Sequence, residues 1–432
     1  MGIIKKIKRG WWLYKSAGLT FAEILNLAVN KGVYFFTWLF YSCRSFLEQG
    51  KWDLISGYAR YIPASIPKQR RKRALLAYLP EAFYKERYIG RIKYYFSNNG
   101  CPLAIARALN ELGYIVDVIG NDDASFMPRH VYDVAIIHNV NLIPVYRNIL
   151  PARTPVVYFE VVAYWRRVLE KMRRRFDEFN RNHDSKAVSE DFAGYQKIES
   201  NGAVYDKNIA SADAIIVLGD QLTRSFSGFK NVFLTTSACL PDKTFKKDLS
   251  ERNLLAGKKN FVFFGGSSHN IRKGLHLLFE AFTNTPYHLY VCSSVNDFLL
   301  KAYNIEKQPN IHLVGYQKQG SKKFYNLISS CDFVIHTSGA EGIPGGVLDT
   351  MKYGLIPVVS RECNIINAAK IGRQLETCSV EEIKQNLDFV SGRPAKWLIE
   401  HAQMSIVETE TTYSSESFRG DFKKAVAKIV PE

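Results

Sequence analysis

The stretch from Phe333 to Val359 constrains the architecture more than any other. Phe333-Val334-Ile335-His336-Thr337 is a run of apolar, β-branched and aromatic residues of strand length. Ser338 to Gly342 is a loop of small residues around Glu341, and Pro344 with Gly345 and Gly346 opens a helix. Residues 347–353 carry that helix, Gly354 suits its C-terminal cap, and Ile356-Pro357-Val358-Val359 is the next strand. Glu341 then sits in the loop, with Asp349 about one turn inside the helix. Unpaired N–H groups near Gly345 and Gly346 can face a negatively charged ligand between the two acids.

A second unit of this kind lies upstream. Phe261-Val262-Phe263-Phe264 reads as a strand, followed by the loop Gly265-Gly266-Ser267-Ser268-His269-Asn270-Ile271-Arg272-Lys273-Gly274 and a helix through Leu277, Leu278 and Phe282. The loop lacks the spacing and the Lys-Ser/Thr ending of a Walker A phosphate loop. Strands are expected at 288–292 and 312–315, and a helix at 322–330.

The Glu341 stretch resembles the Glu-x7-Glu signature of retaining family 4 glycosyltransferases (glycosyl transferases group 1), with Asp349 in place of the second glutamate. Arg272-Lys273-Gly274 resembles the Lys-Gly element that contacts the donor diphosphate in those enzymes. The family frequently has an arginine after the first-strand glycine, where this chain has Gly266 and Ser267. The resemblance implies a GT-B fold: α/β, two Rossmann-like domains facing a cleft, with the nucleotide donor on the C-terminal side. It further implies that Glu341 contacts donor-sugar hydroxyls and that Asp349, one methylene shorter than glutamate, binds ribose hydroxyls directly or through water. The expected reaction separates an anionic diphosphate from a sugar carbon that becomes oxocarbenium-like, with retention of configuration through front-face attack. Lys273, Arg272 and the helix start at Gly345 and Gly346 would stabilise the departing charge.

On this reading Glu341, Lys273 and Arg272 are the catalytic candidates. Gly265, Gly266, Gly342, Gly345, Gly346, Val347, Asp349 and His138 form the donor-binding set. No metal ligand is expected: the chain has no Asp-x-Asp, which fits metal-independent transfer. His336, inside a strand, reads as structural.

The N-terminal half alternates strand and helix from Ala74 onward, with strands expected at 74–79, 114–119, 134–138, 156–159, 214–218 and 232–235. Asn98-Asn99-Gly100 opens a helix through Leu103, Ala106, Leu109 and Leu112. This order resembles the acceptor-side domain of the same families, and Asn99 and Gly100 are its acceptor-side candidates. Residues 164–175 read as a strongly basic helix, either solvated or turned toward an acceptor or a membrane. The expected divisions are an arm at 1–73, an acceptor domain at 74–250, a donor domain at 251–400 and a helical segment at 401–432 that packs across both.

Charge separates the arm from the rest. Residues 1–73 hold 14 Lys/Arg against 3 Asp/Glu, within a chain whose net charge is +17. No nucleic-acid recognition motif accompanies this charge, so an anionic membrane surface is the expected partner. On a helical wheel Ile3, Ile4, Ile7, Trp11 and Tyr14 share one arc while Lys5, Lys6 and Arg9 point away, the pattern of an interfacial helix. The aromatic run at 32–43 is too short to span a bilayer, and Lys68-Gln69-Arg70-Arg71-Lys72-Arg73 adds a second basic cluster. No secretory signal or myristoylation motif is evident. The 7 cysteines form no Cys-x-x-Cys pair, in keeping with a reducing cytosol.

The expected function is transfer of a sugar from a nucleotide donor to a membrane-linked glycan or lipid in surface-polysaccharide or lipopolysaccharide assembly, at the cytoplasmic face. The alternative is a non-catalytic nucleotide-sugar-binding protein, or a membrane-associated scaffold of the same fold.

Overall fold

The structure, a computed structural model, describes residues 59–61, 72–80, 82–83 and 100–430, within the last span apart from 125, 129, 182, 184–195, 197–198, 240–244 and 267–268. The arm helix at 1–15, the aromatic run at 32–43, Asn99, and Lys68 to Arg71 of the basic cluster lie outside the described residues.

The first sheet contains β1 (Ala59–Tyr61), β2 (Lys72–Tyr78), β3 (Tyr114–Gly120), β4 (Val134–Ile137), β5 (Val156–Glu160), β6 (Ala214–Leu218) and β7 (Val232–Thr235). Their order is β1-β3-β2-β4-β5-β6-β7, parallel except for β1, which runs antiparallel to β3. The second sheet contains β8 (Asn260–Gly266), β9 (His288–Ser293), β10 (Ile311–Leu313), β11 (Phe333–His336), β12 (Ile356–Ser360) and β13 (Arg373–Leu375), all parallel, in the order β10-β9-β8-β11-β12-β13. This α/β pair of doubly wound sheets is the GT-B architecture. The strands read as continuous apolar runs because helices cover both faces of a parallel sheet: Ala74 to Ala77, Val134 to Ile137 and Ile215 to Leu218 are all buried.

In each sheet the strand order reverses at one point, between β2 and β4 in the first and between β8 and β11 in the second. The loops leaving adjacent strands diverge there, and a crevice opens beyond their carboxyl ends. The turn at His269–Gly274 and the Thr337–Pro344 loop flank this point in the second sheet.

Two helices tie the halves together. The basic helix at Trp165–Asn180 leaves the first sheet after β5, yet Val168, Leu169, Met172, Phe176 and Phe179 join the core of the second, beside Leu275, Leu278 and Phe282. Their spacing puts them on one face, and each side chain so buried contributes about 1.5–3 kcal/mol. Apart from buried Arg175 the helix is basic on its outer side, and neither reading from composition anticipated its apolar side. In the other direction the final helix, Ser415–Ile429, packs on the helix Gly100–Glu111 of the first half. Phe418 and Phe422, one turn apart, meet Phe159 edge-on with both ring centroids at 6.4 Å, and Arg419 pairs with Glu111 at 2.7 Å.

Differences from the sequence reading lie at edges. Residues 59–61, counted within the arm, pair with β3. Lys72 and Arg73, the end of the basic cluster, open β2, where Arg73 N–H donates to Asp133 at 2.6 Å. The linker into the second half is pinned by a buried pair, Lys247 to Asp332 at 2.8 Å. No described helix is long and apolar enough to cross a membrane.

Candidate functional site

The site grows from two loops that hold each other. After β8 the chain reaches a tight turn in which Lys273 N–H donates to His269 O, and Gly274 takes a left-handed conformation at φ 76°. A Cβ on Gly274 would lie 2.3 Å from the carbonyl oxygen of Thr337, so only glycine lets the two loops approach this closely. The Thr337 hydroxyl donates to Gly274 O at 3.0 Å. Gly339 N–H donates to Arg272 O at 2.8 Å, and Arg272 Nη1 donates back to Ala340 O at 3.1 Å. From β12 and the turn beyond, Ser360 donates to Ser338 O at 2.7 Å, and Asn364 donates to the carbonyls of Glu341 and Gly342 at 3.3 and 3.1 Å.

This lattice gathers Glu341, Arg272, Lys273 and two histidines. His336 Nε2 lies 3.7 Å from Glu341 Oε2, and the Ser338 hydroxyl donates to the same oxygen at 3.4 Å. Burial pushes the Glu341 carboxyl up, but His336 and the charges of Arg272 and Lys273 outweigh it and pull the group down to about 2. Glu341 is thus a carboxylate acceptor at any ordinary pH. Lys273, whose ammonium donates to Gly265 O, is pushed below its usual range by burial and by Arg272, with Glu341 opposing. Burial, Arg272 and Lys273 likewise hold His269 below the ordinary imidazole value, against Glu341. His336 stacks on Phe263 at 5.2 Å, and burial lowers its pKa despite Glu341. It touches the acid and is not merely core filling. His269 was not singled out from the sequence, since nothing distinguishes it there from any loop histidine.

The remaining candidates fall around this cluster. Gly266, at φ 71°, faces the Lys273 ammonium, and Gly265 abuts Ser293. The helix Gly345–Met351 is two turns long, and Gly346 leaves room for Phe264, whose Cβ would be 2.7 Å from an added methyl. Val347 is buried. Asp349 is also buried, 3.3 Å from Lys352 Nζ on the same helix and near Cys239 at the end of the first half. Gly342 meets the first half directly, against the carbonyl of Val161 just after β5. The Glu160 carboxylate holds that turn, accepting the N–H groups of Val161 and Val162 at 2.7 and 2.9 Å.

His138 ends β4 on the same edge of the first sheet. Its Nδ1 is 2.8 Å from Phe159 O and its ring packs on Tyr78 at 4.5 Å. A carbonyl only accepts, so Nδ1 is the donor in this bond. Gly100 begins the helix Gly100–Glu111 and is buried. Among the described residues no three His, Cys, Asp or Glu side chains are placed to hold a metal ion.

Residues 245–396 match the family described as glycosyl transferases group 1. The match covers about a third of the chain. No curated protein matches the sequence. Among solved structures, WaaG, a glycosyltransferase involved in lipopolysaccharide biosynthesis, aligns over 83% of this chain and 100% of its own, at 14% identity and a TM-score of 0.52. Anabaena Alr3699/HepE, in complex with UDP-glucose, aligns over 83% of this chain and 99% of its own, at 12% identity and a TM-score of 0.52. At such identities these likenesses concern the fold. The chain spans only 55% of the length of TarM, a further structural match at a TM-score of 0.47.

Proposed function

We propose that this chain is a retaining glycosyltransferase of group 1, moving a sugar from a nucleotide-sugar donor to a glycan or lipid acceptor held at a membrane. The observation that carries the reading is the ionised Glu341 set beside Arg272 and Lys273 on two interlocked loops at the switch point of the second sheet. A carboxylate accepts hydrogen bonds from sugar hydroxyls, while two cations one loop away answer a diphosphate. Negative charge grows on the phosphate oxygens as the glycosidic bond lengthens, so those cations bind the transition state more tightly than the donor. Retention follows where the acceptor hydroxyl attacks from the face that the diphosphate leaves and a departing phosphate oxygen takes its proton. His138 contacts a sugar hydroxyl through Nε2, and Asp349 accepts a hydrogen bond from the ribose.

The donor class to try first is a UDP-sugar, since HepE binds UDP-glucose in the same fold. A membrane-held acceptor is favoured by the charge of residues 1–73, and by the role of WaaG in lipopolysaccharide synthesis. The test is thermal shift of purified protein against a panel of nucleotide sugars, followed by transfer to lipid-linked acceptors and NMR of the new anomeric centre. Stabilisation by one donor and a product of unchanged configuration are expected. A donor that binds but is never transferred would select the non-catalytic alternative, and an inverted product would overturn retention.

A further inference from the structure

The loop that bears Glu341 is gripped by a residue from the other half of the chain. Arg175 lies on the helix Trp165–Asn180, between β5 and β6 of the first sheet, and is 7% exposed. Its Nη2 donates to the carbonyl of Thr337 at 2.8 Å, a charge-assisted bond to the first residue of the loop. The side chain lies against the loop: a Cβ on Gly339 would sit 3.0 Å from Arg175 Nε and 3.2 Å from its Cγ. Nη1 is buried and has no hydrogen-bond partner.

The other groups around Arg175 do not explain a buried cation. His276, from the helix Leu275–Phe282, is buried and held neutral by burial, then by Arg175 itself and His183. Cys378, near the end of β13, is pushed up to about 11 by burial, with Arg175 opposing. Lys171 and Arg174 are further cations on the same helix, and Glu178 and Glu362 line the same small crevice. Glu362 pairs with Arg167 at 3.1 Å and Lys171 at 3.2 Å, and Glu178 with Arg174 at 3.0 Å. Burying a charge without a carboxylate costs free energy unless its hydrogen bonds are well made; Arg175 has a side-chain hydrogen bond with Cys378, and its bond to the site loop is to Thr337.

From Thr337 the path to the site is short. Gly274 packs against the same carbonyl oxygen, and the next link is Gly339 N–H to Arg272 O, then Arg272 to Ala340, next to Glu341. The helix start belongs to the first half, where Trp165 Nε1 donates to Asp206 at 2.7 Å and Tyr164 N–H to Ser225 at 3.1 Å.

We propose that Arg175 is a positioning residue: supplied by the acceptor-side half, it sets the height of the Thr337–Glu341 loop and so where Glu341 meets the donor sugar. The kinetic part rests on the glycosyl-transfer reading; the mechanical part does not. Three variants test it in the full chain. Arg175→Met removes the bond and keeps the length, Arg175→Lys keeps the charge without the planar fork, and Gly339→Ala presses on the guanidinium from the loop side. Amide hydrogen exchange of residues 337–345, measured without donor, should quicken at least about tenfold in Arg175→Met and Gly339→Ala, and less in Arg175→Lys. In transfer assays kcat should fall by about 10- to 100-fold, with free-nucleotide affinity within about twofold of wild type, because the proposed nucleotide ligands Asp349, Arg272 and Lys273 lie outside residues 337–341. A general loss of folding would move nucleotide affinity and exchange everywhere, and that pattern overturns the assignment. Folded variants with wild-type exchange in the loop overturn it as well, whatever the kinetics. Faster exchange in a protein whose wild type transfers no sugar supports the mechanical role and counts against the glycosyl-transfer reading alone.

Discussion

A β-carbon on Gly342 would lie 1.7 Å from the carbonyl oxygen of Val161, a residue of the opposite half of the molecule. The backbone beside Glu341 therefore touches the far wall of the cleft with no side chain between. Gly342→Ala forces a shift of that contact; overpacking of this kind costs about 1–3 kcal/mol. A lower denaturation midpoint and a loss of transfer are expected together. An unchanged midpoint would show that the Val161 turn yields freely, despite the two N–H bonds that Glu160 accepts.

Lys273→Ala is expected to lower single-turnover transfer at saturating donor by roughly 10²–10³-fold, the loss typical of a positioned electrostatic donor. Donor affinity should fall less, because Arg272 remains. Lys273→Arg should rescue poorly, since a planar fork does not fit where a compact ammonium caps Gly265 O. Near-normal turnover in folded Lys273→Ala protein would return this lysine to a structural role.

Asp349 carries two expectations that one variant separates. As a ribose ligand, its replacement by alanine weakens free nucleotide and nucleotide sugar by similar factors, about 1.5–3 kcal/mol for a hydrogen bond to a charged group. As the neighbour of buried Lys352 it also supports the helix, so the ligand-free protein should lose stability. Titration calorimetry with both ligands, beside denaturation of the free protein, reads the two effects apart. Unchanged affinity with lowered stability would leave only the ion pair.

Acid should destabilise the fold in two windows. The Glu341 carboxyl lies at about 2 when folded, against an ordinary 4.5, so only the unfolded chain takes up its proton as pH falls from about 4.5 toward 2. Stability is lost across that range, and Glu341→Gln should flatten it. Burial holds His336 and His276 below the ordinary 6.5, so stability also begins to fall as pH drops through 6.5. His336→Leu should remove part of that upper slope and leave the part due to His276. Denaturation midpoints from pH 8 to pH 2.5 would check both; a slope unaltered by either change would count against this electrostatic account.

What the sequence made legible follows from how locally each feature is determined. The strands of the two sheet centres are apolar runs bounded by turn residues, so the α/β class and the doubled architecture could be read directly. β13 could not: Arg373-Gln374-Leu375 is a short polar edge whose strand character comes from pairing with β12. In the site, Glu341, Arg272 and Lys273 belong to local motifs and stood out as residue types. Arg175, Ser360 and Asn364 reach the same loops from elsewhere in the chain, and no local pattern marks them. The basic helix was misjudged because its cations dominate its composition, although Val168, Leu169, Met172, Phe176 and Phe179 already had helical spacing.

That helix has a consequence for how the molecule is made. Its residues leave the ribosome well before Asn260, where the sheet that will cover them begins. Through the synthesis of β8 to β13 its five large apolar side chains have no finished surface to rest on, at a stage when domains normally fold in order of emergence. The nascent N-terminal half is thus obliged to wait, its sheet complete but one helix unclaimed. Burial of that helix waits on the sheet synthesised after it, which couples the completion of the first lobe to the folding of the second.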